Sequence, residues 1–186
     1  MYRWLDGSGI NKRRIFNVIG GLASVVGKYS KASNNKPYGC INPYNVLICK
    51  NDEVLLLNMD EESNDFVNSK MENEVMKENY KNGYAIANLK RYVRKDFYTF
   101  GMTVNYIMAK ASSKIRLSIY EQKRLVRFVN KCIGKSRNIF ENYREIEDDL
   151  YEITDETYKR VTKKTTAVIS ILVLLLVILS FVLVPV

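Results

Sequence analysis

The sequence predicts a mainly α-helical domain carrying one short β-hairpin, followed by a single transmembrane helix. Three observations predict it. Apolar residues recur at helical spacing in several separate segments, two short apolar runs flank a polar turn near residue 50, and Ala167 to Val184 is an 18-residue run without a charge. The domain organisation that follows is a folded part over 1–155, a basic segment over 156–164 and a membrane helix over 165–186.

Taken in order, the N-terminal residues carry Asp6 and the basic Lys12-Arg13-Arg14, with no apolar leader pattern. Gly7-Ser8-Gly9 reads as a turn. Ile15, Phe16, Ile19, Leu22, Ala23 and Val26 predict a helix over Arg14 to Tyr29, with Gly20-Gly21 suited to close packing. Ser30 to Pro37 reads as a polar loop. The stretch Tyr38-Gly39-Cys40-Ile41-Asn42-Pro43-Tyr44-Asn45 is rich in turn formers, and the apolar runs around Val46-Leu47-Ile48 and Val54-Leu55-Leu56-Leu57 flank Lys50-Asn51-Asp52. Two strands joined so tightly form a hairpin with the loop at one end.

Asp60 to Tyr80 is charged, with scattered apolar anchors at Phe66, Val67, Met71, Val75 and Met76. Phe97, Phe100, Val104, Ile107 and Met108 recur as a buried helix requires. Ser118 and Glu121 stand three apart, as in a capping box. The helix they open would bury Leu125, Phe128, Val129, Cys132 and Ile133 and stop at Gly134. Ile146, Leu150 and Ile153 continue a helical pattern toward the apolar run, too short a repeat for a coiled coil but leaving room for self-association. The run itself would form a helix roughly 27 Å long, close to a bilayer's hydrocarbon thickness. Lys159, Arg160, Lys163 and Lys164 precede it and nothing basic follows, so the N-terminal domain is expected on the cytoplasmic side of a cell membrane.

Composition excludes several chemistries. The chain has no histidine, which removes His-based triads, imidazole general bases and most zinc sites. Cys40, Cys49 and Cys132 form no C-x-x-C pair and suit a reducing compartment, each expected as a small buried group. The net charge of +9 is spread among apolar helix positions and is not interleaved with stacking aromatics. This argues against nucleic acid as a partner and suits an anionic lipid surface or ordinary solvated helix faces.

The loop, hairpin and following helix together resemble part of a protein kinase, the C-lobe alone. In that family H-R-D-L-x-x-x-N is followed by a hairpin and D-F-G. Here Ile41, Pro43 and Asn45 stand where the family has Leu, Pro and Asn; Tyr38, Gly39 and Cys40 replace His-Arg-Asp, and Asn58-Met59-Asp60 replaces Asp-Phe-Gly. The segment from Asp96 through Gly101 is similar to the D-x-Y-S-x-G helix, whose aspartate holds the catalytic-loop backbone; the resemblance makes Asp96 structural. Residues 60–80 would stand for the activation segment, with Ser63 and Ser69 its only serines, and Phe140 to Ile146 for the last helix. The family's paired glutamate and arginine are replaced by Asn88 and by Ile139, or Arg137 if the alignment slips.

What the resemblance implies is a scaffold without its chemistry. Catalysis in the family needs an N-lobe lysine and Gly-rich loop, an aspartate base and a magnesium-binding aspartate. Cys40, with an ordinary thiol pKa near 8.5, is a poor base, and Asn58 offers a metal one neutral carbonyl. Asn45 survives, insufficient alone. The expected function is therefore a catalytically inactive, membrane-tethered docking or scaffold module, with no cofactor or metal and a protein partner covering the face an N-lobe would cover. Alternatives are half of a split Ser/Thr kinase that takes its N-lobe from another chain, and a pseudokinase-like subunit of a type VII-like secretion system.

Overall fold

The computed structural model describes residues 1–34, 36–59, 61–90 and 94–153. The chain divides into two compact units, Met1–Leu150 and Tyr151–Val186. Of the second, only 151–153 are described, and they are helical.

The first unit is mainly helical with one two-stranded antiparallel sheet. A short helix α1 (Tyr2–Asp6) leads through the Gly7-Ser8-Gly9 turn to α2 (Lys12–Ala32). Asn11 caps α2, its side-chain oxygen accepting from the Arg14 N–H at 3.0 Å. That cap starts α2 two residues before the sequence expectation, and its last turn extends three residues into the expected polar loop. Ile15, Val18, Ile19, Leu22, Ala23 and Val26 line its buried face, while Phe16 is half-buried. The sequence reading missed both α1 and Val18.

Strands β1 (Val46–Ile48) and β2 (Val54–Leu56) pair with Val46 opposite Leu56 and Ile48 opposite Val54. Asn51 and Asp52 at the turn both have positive φ, 64° and 62°, a conformation asparagine and aspartate tolerate better than most residues. The turn is also clamped. Asp52 accepts from the Arg14 guanidinium at 2.6 to 3.0 Å, tying the hairpin to α2. Gly21 brings α2 close to the sheet: a Cβ there would stand 3.0 Å from Val54 Cγ2, whereas one at Gly20 would meet nothing.

Residues 61–90, of which the first twenty showed only scattered anchors in the sequence, are largely helical: α3 (Asp65–Met71), then α4 (Glu74–Met76), a widened π turn (Lys77–Asn82) and α5 (Gly83–Lys90). Asp60 lies outside the described residues. Two long helices follow, α6 (Lys95–Ala111) and α7 (Ile119–Cys132), and residues 143–150 form α8. The core lies along α6. Phe97, Phe100, Val104 and Ile107 are at most 1 % exposed, each such burial stabilising by about 1.5–3 kcal/mol. Gly101 lets α7 approach, since a Cβ there would sit 2.5 Å from Cys132 Cβ. The Ser118–Glu121 capping box forms in full, and Glu121 also binds Lys12 at 2.8 Å, joining α7 to α2. Gly134 ends that region at φ 77°.

Two expectations are corrected here. The described residues are mainly helical with a two-stranded antiparallel hairpin, and where a membrane-spanning helix was expected to complete the fold class, no helix among the described residues is long and apolar enough to cross a membrane. At 21 residues α2 has the length, but Lys12, Arg13, Arg14, Lys28 and Lys31 charge it. The run 167–184 and the basic segment before it lie outside the described residues. Of the three cysteines expected to be buried, only Cys132 is; Cys49 is exposed beside the hairpin turn and Cys40 is half-buried.

Candidate functional site

The loop 38–45 is built on one polar stripe of α6. Asp96, Thr99 and Thr103 fall at i, i+3 and i+7 on a helix otherwise packed with aromatic and aliphatic groups, and all three are fully buried. The Asp96 carboxylate accepts from the backbone N–H groups of Tyr38 (3.0 Å) and Gly39 (2.9 Å), and from the Tyr143 hydroxyl of α8 (3.1 Å). Its place in the first turn of α6 also suits a negative charge. The Ile41 N–H donates to Thr99 Oγ1 at 3.1 Å, and Thr103 donates back to the Ile41 carbonyl at 2.9 Å. Tyr80, from the π turn, meets Thr103 at 3.1 Å. Three side chains of one helix thus hold three residues of the loop.

Gly39 makes this path available. Its φ of +107° lies where a side chain would strain the backbone, although there is open space around the position. The Tyr38 hydroxyl donates to the Leu57 carbonyl, fastening the loop to the end of β2. Around Asp96 the walls are aromatic. Phe97 and Tyr143 pack edge to face at 4.8 Å, and the Arg94 guanidinium lies 4.9 Å from the Phe97 ring centre and 5.7 Å from that of Tyr143. Burial, with the Asp96 charge beside it, pushes the Tyr143 hydroxyl far above the usual tyrosine range. It therefore stays protonated and can act only as donor to the carboxylate.

The three positions singled out as degenerate catalytic residues are placed quite differently. Asn45 is fully buried: its Oδ1 accepts from the Asn42 N–H at 2.9 Å and its Nδ2 donates to the Cys40 carbonyl at 2.6 Å. Both ends of the amide are engaged inside the loop. Asn58 is exposed at the far end of β2, its Nδ2 3.4 Å from Glu61 Oε1 and its carbonyl accepting from Asn64 at 2.7 Å. The hairpin brings the two asparagines to the same end of the sheet, since the Leu57 N–H donates to the Asn45 carbonyl. One nevertheless faces the interior and the other water.

Cys40 lines a cavity of about 260 Å³ with Met71, Glu72, Tyr80, Lys81 and Lys95. Burial pushes its thiol up, and Lys95 offsets this only in part. The thiol is protonated near neutrality and has no carboxylate in the place of a base. Glu72, the cavity's one acid, is held by Lys81 at 3.2 Å. Among the described residues no group of three acidic, cysteine or histidine side chains could hold a metal ion.

Sequence reasoning found the loop and Asp96 and missed Thr99, Thr103, Tyr80 and Tyr143. A usable signal existed for the threonines: polar residues three and seven after Asp96 lie on the same face of the helix. Comparison with known family models, curated proteins and solved structures found no match to this chain.

Proposed function

We propose that this chain is a catalytically inactive docking module built on a kinase C-lobe-like scaffold. One observation carries the reading. The loop corresponding to a catalytic loop is fastened by Asp96, Thr99 and Thr103, and its own sequence from Tyr38 to Asn45 contains no aspartate, glutamate or histidine. Asn45 is turned inward, and Cys40 carries a thiol raised by burial. The loop is preserved as architecture, which supports a role in holding a surface for another protein.

Purified protein should show no change in melting temperature with magnesium and ATP, and no transfer of radiolabelled phosphate to itself or to a generic substrate protein. Transfer lost on Cys40→Ala would overturn the proposal. A split kinase is the second reading, favoured by the outward Leu47 and Leu55, which face each other across the hairpin and are 41 % and 44 % exposed, as a partner lobe would need. It requires phosphate transfer on mixing with such a lobe, with loss on substitution of Cys40 or Asn58.

A further inference from the structure

The exposed surface of α7 is basic along its length, and beside it runs an apolar groove. Four of its 14 residues are basic (Lys123, Arg124, Arg127, Lys131) and one is acidic. That acid, Glu121, is turned in and bound to Lys12, with only 2 % of its side chain exposed. Lys131 is matched by Asp149 at 2.9 Å, but Lys123 and Arg127 stand exposed on a helix with no outward carboxylate.

The groove between α6 and α7 measures about 540 Å³. Its apolar walls include Met102 and Met108 from α6, Leu117 before α7, and Val126 and Val129 from α7; the amides of Asn79, Asn105, Gln122 and Asn130 interrupt them, and Lys135 also lines the groove. Val126 is 59 % exposed, and the other four apolar residues are half-buried, so apolar surface remains open to water here. Lys123, three residues before Val126, shares its side of α7, and Lys135 lines the groove itself, which sets two cations beside the apolar surface. Methionine walls adapt to different apolar partners. Two acids adjoin lining residues in sequence: Glu121 before Gln122, turned in against Lys12, and Glu78 before Asn79, which holds Asn82 at 2.9 Å.

We infer that this groove takes an amphipathic helix from a partner protein, its apolar side chains seated against Met102, Met108 and Val126 and its acidic residues against Lys123 and Lys135. The concave apolar floor favours a helix over a lipid surface or nucleic acid, which would use the cations and leave the floor uncovered. The inference rests on the docking-module reading and names the surface and the partner's chemistry.

The test is titration of the full chain into a fluorescent synthetic peptide of roughly 18 residues, leucine on one face and glutamate on the other. Saturable binding is expected, weakened at least about tenfold by Val126→Asp and also by Lys123→Glu with Lys135→Glu. All three residues are exposed, and circular dichroism would verify the fold. Absence of binding, equal binding of a scrambled peptide, or insensitivity to Val126→Asp would overturn the inference. So would tighter binding of anionic vesicles or duplex DNA through the same residues. A photo-cross-linker at Leu47 separates the two levels: a protein adduct there that is indifferent to Val126→Asp rejects the groove and leaves the docking module standing.

Discussion

Asp96 is the residue on which most depends. Replacing it with alanine would leave two backbone N–H groups and the Tyr143 hydroxyl facing a cavity, each buried donor costing about 1–3 kcal/mol without its acceptor. We expect Asp96→Ala to lower stability by at least about 3 kcal/mol, read as a drop in urea midpoint. Asp96→Asn, which keeps one acceptor oxygen, should lose less. Glu121 offers a pH-dependent counterpart. Burial pushes its carboxyl up, but hydrogen bonds from Lys12 and from Ser118 outweigh this and leave it below its ordinary 4.5. A depressed carboxyl stabilises the fold above its unfolded value, and that contribution disappears as pH falls through the lower folded one. The melting-temperature gap between the native chain and Glu121→Gln should therefore be full above pH 5 and close as pH falls below 4.5. A gap that stays constant would show that the ionised carboxylate matters little.

At the level of elements, the close approach of α6 and α7 is the feature most open to test. Gly101→Ala forces a methyl against Cys132 Cβ and Ile133, so the helices must part; overpacking of this kind costs about 1–3 kcal/mol. Gly20→Ala on α2 meets nothing and removes a flexible residue from a helix interior, which should stabilise by about 0.5–1 kcal/mol. The two substitutions are chemically identical, and opposite signs in denaturation would confirm that packing decides them. The main helices and the hairpin were legible because their patterns are local: apolar spacing for α2 and α6, a serine–glutamate pair for α7, a polar turn between apolar runs. What stayed hidden was set by distant partners. The extension of α2 to Ala32 overrides a polar composition, and α1 is too short to show a period. The segment 61–90, whose charged first part shows only scattered apolar anchors, folds largely as helices around buried Val67, Met76 and Tyr80. In the site, Asp96 could be picked out from its motif, but Tyr143 lies 47 residues away and no spacing rule connects them.

Across the unit Met1–Leu150, the same few bonds join segments remote in the chain: Lys12 to Glu121, Arg14 to Asp52, Asp96 to both the loop and α8. The segment 61–90 is joined to α6 by two further bonds, Tyr80 with Thr103 at 3.1 Å and the Tyr98 hydroxyl to the Asn79 carbonyl at 3.0 Å. Far-ultraviolet and tyrosine signals should therefore lose structure at one urea midpoint; two midpoints would mean that the loop and the helices melt separately. There is also a consequence for how the molecule is made. A ribosome adding about 5–20 residues per second needs about 2–9 s to go from Asp96 to Tyr143. Throughout that interval the nascent chain holds a carboxylate whose hydroxyl partner does not yet exist and a face of α6 that α7 and α8 have not yet covered. We expect slower synthesis between the two codons to lower the soluble yield, and added chaperone to restore it.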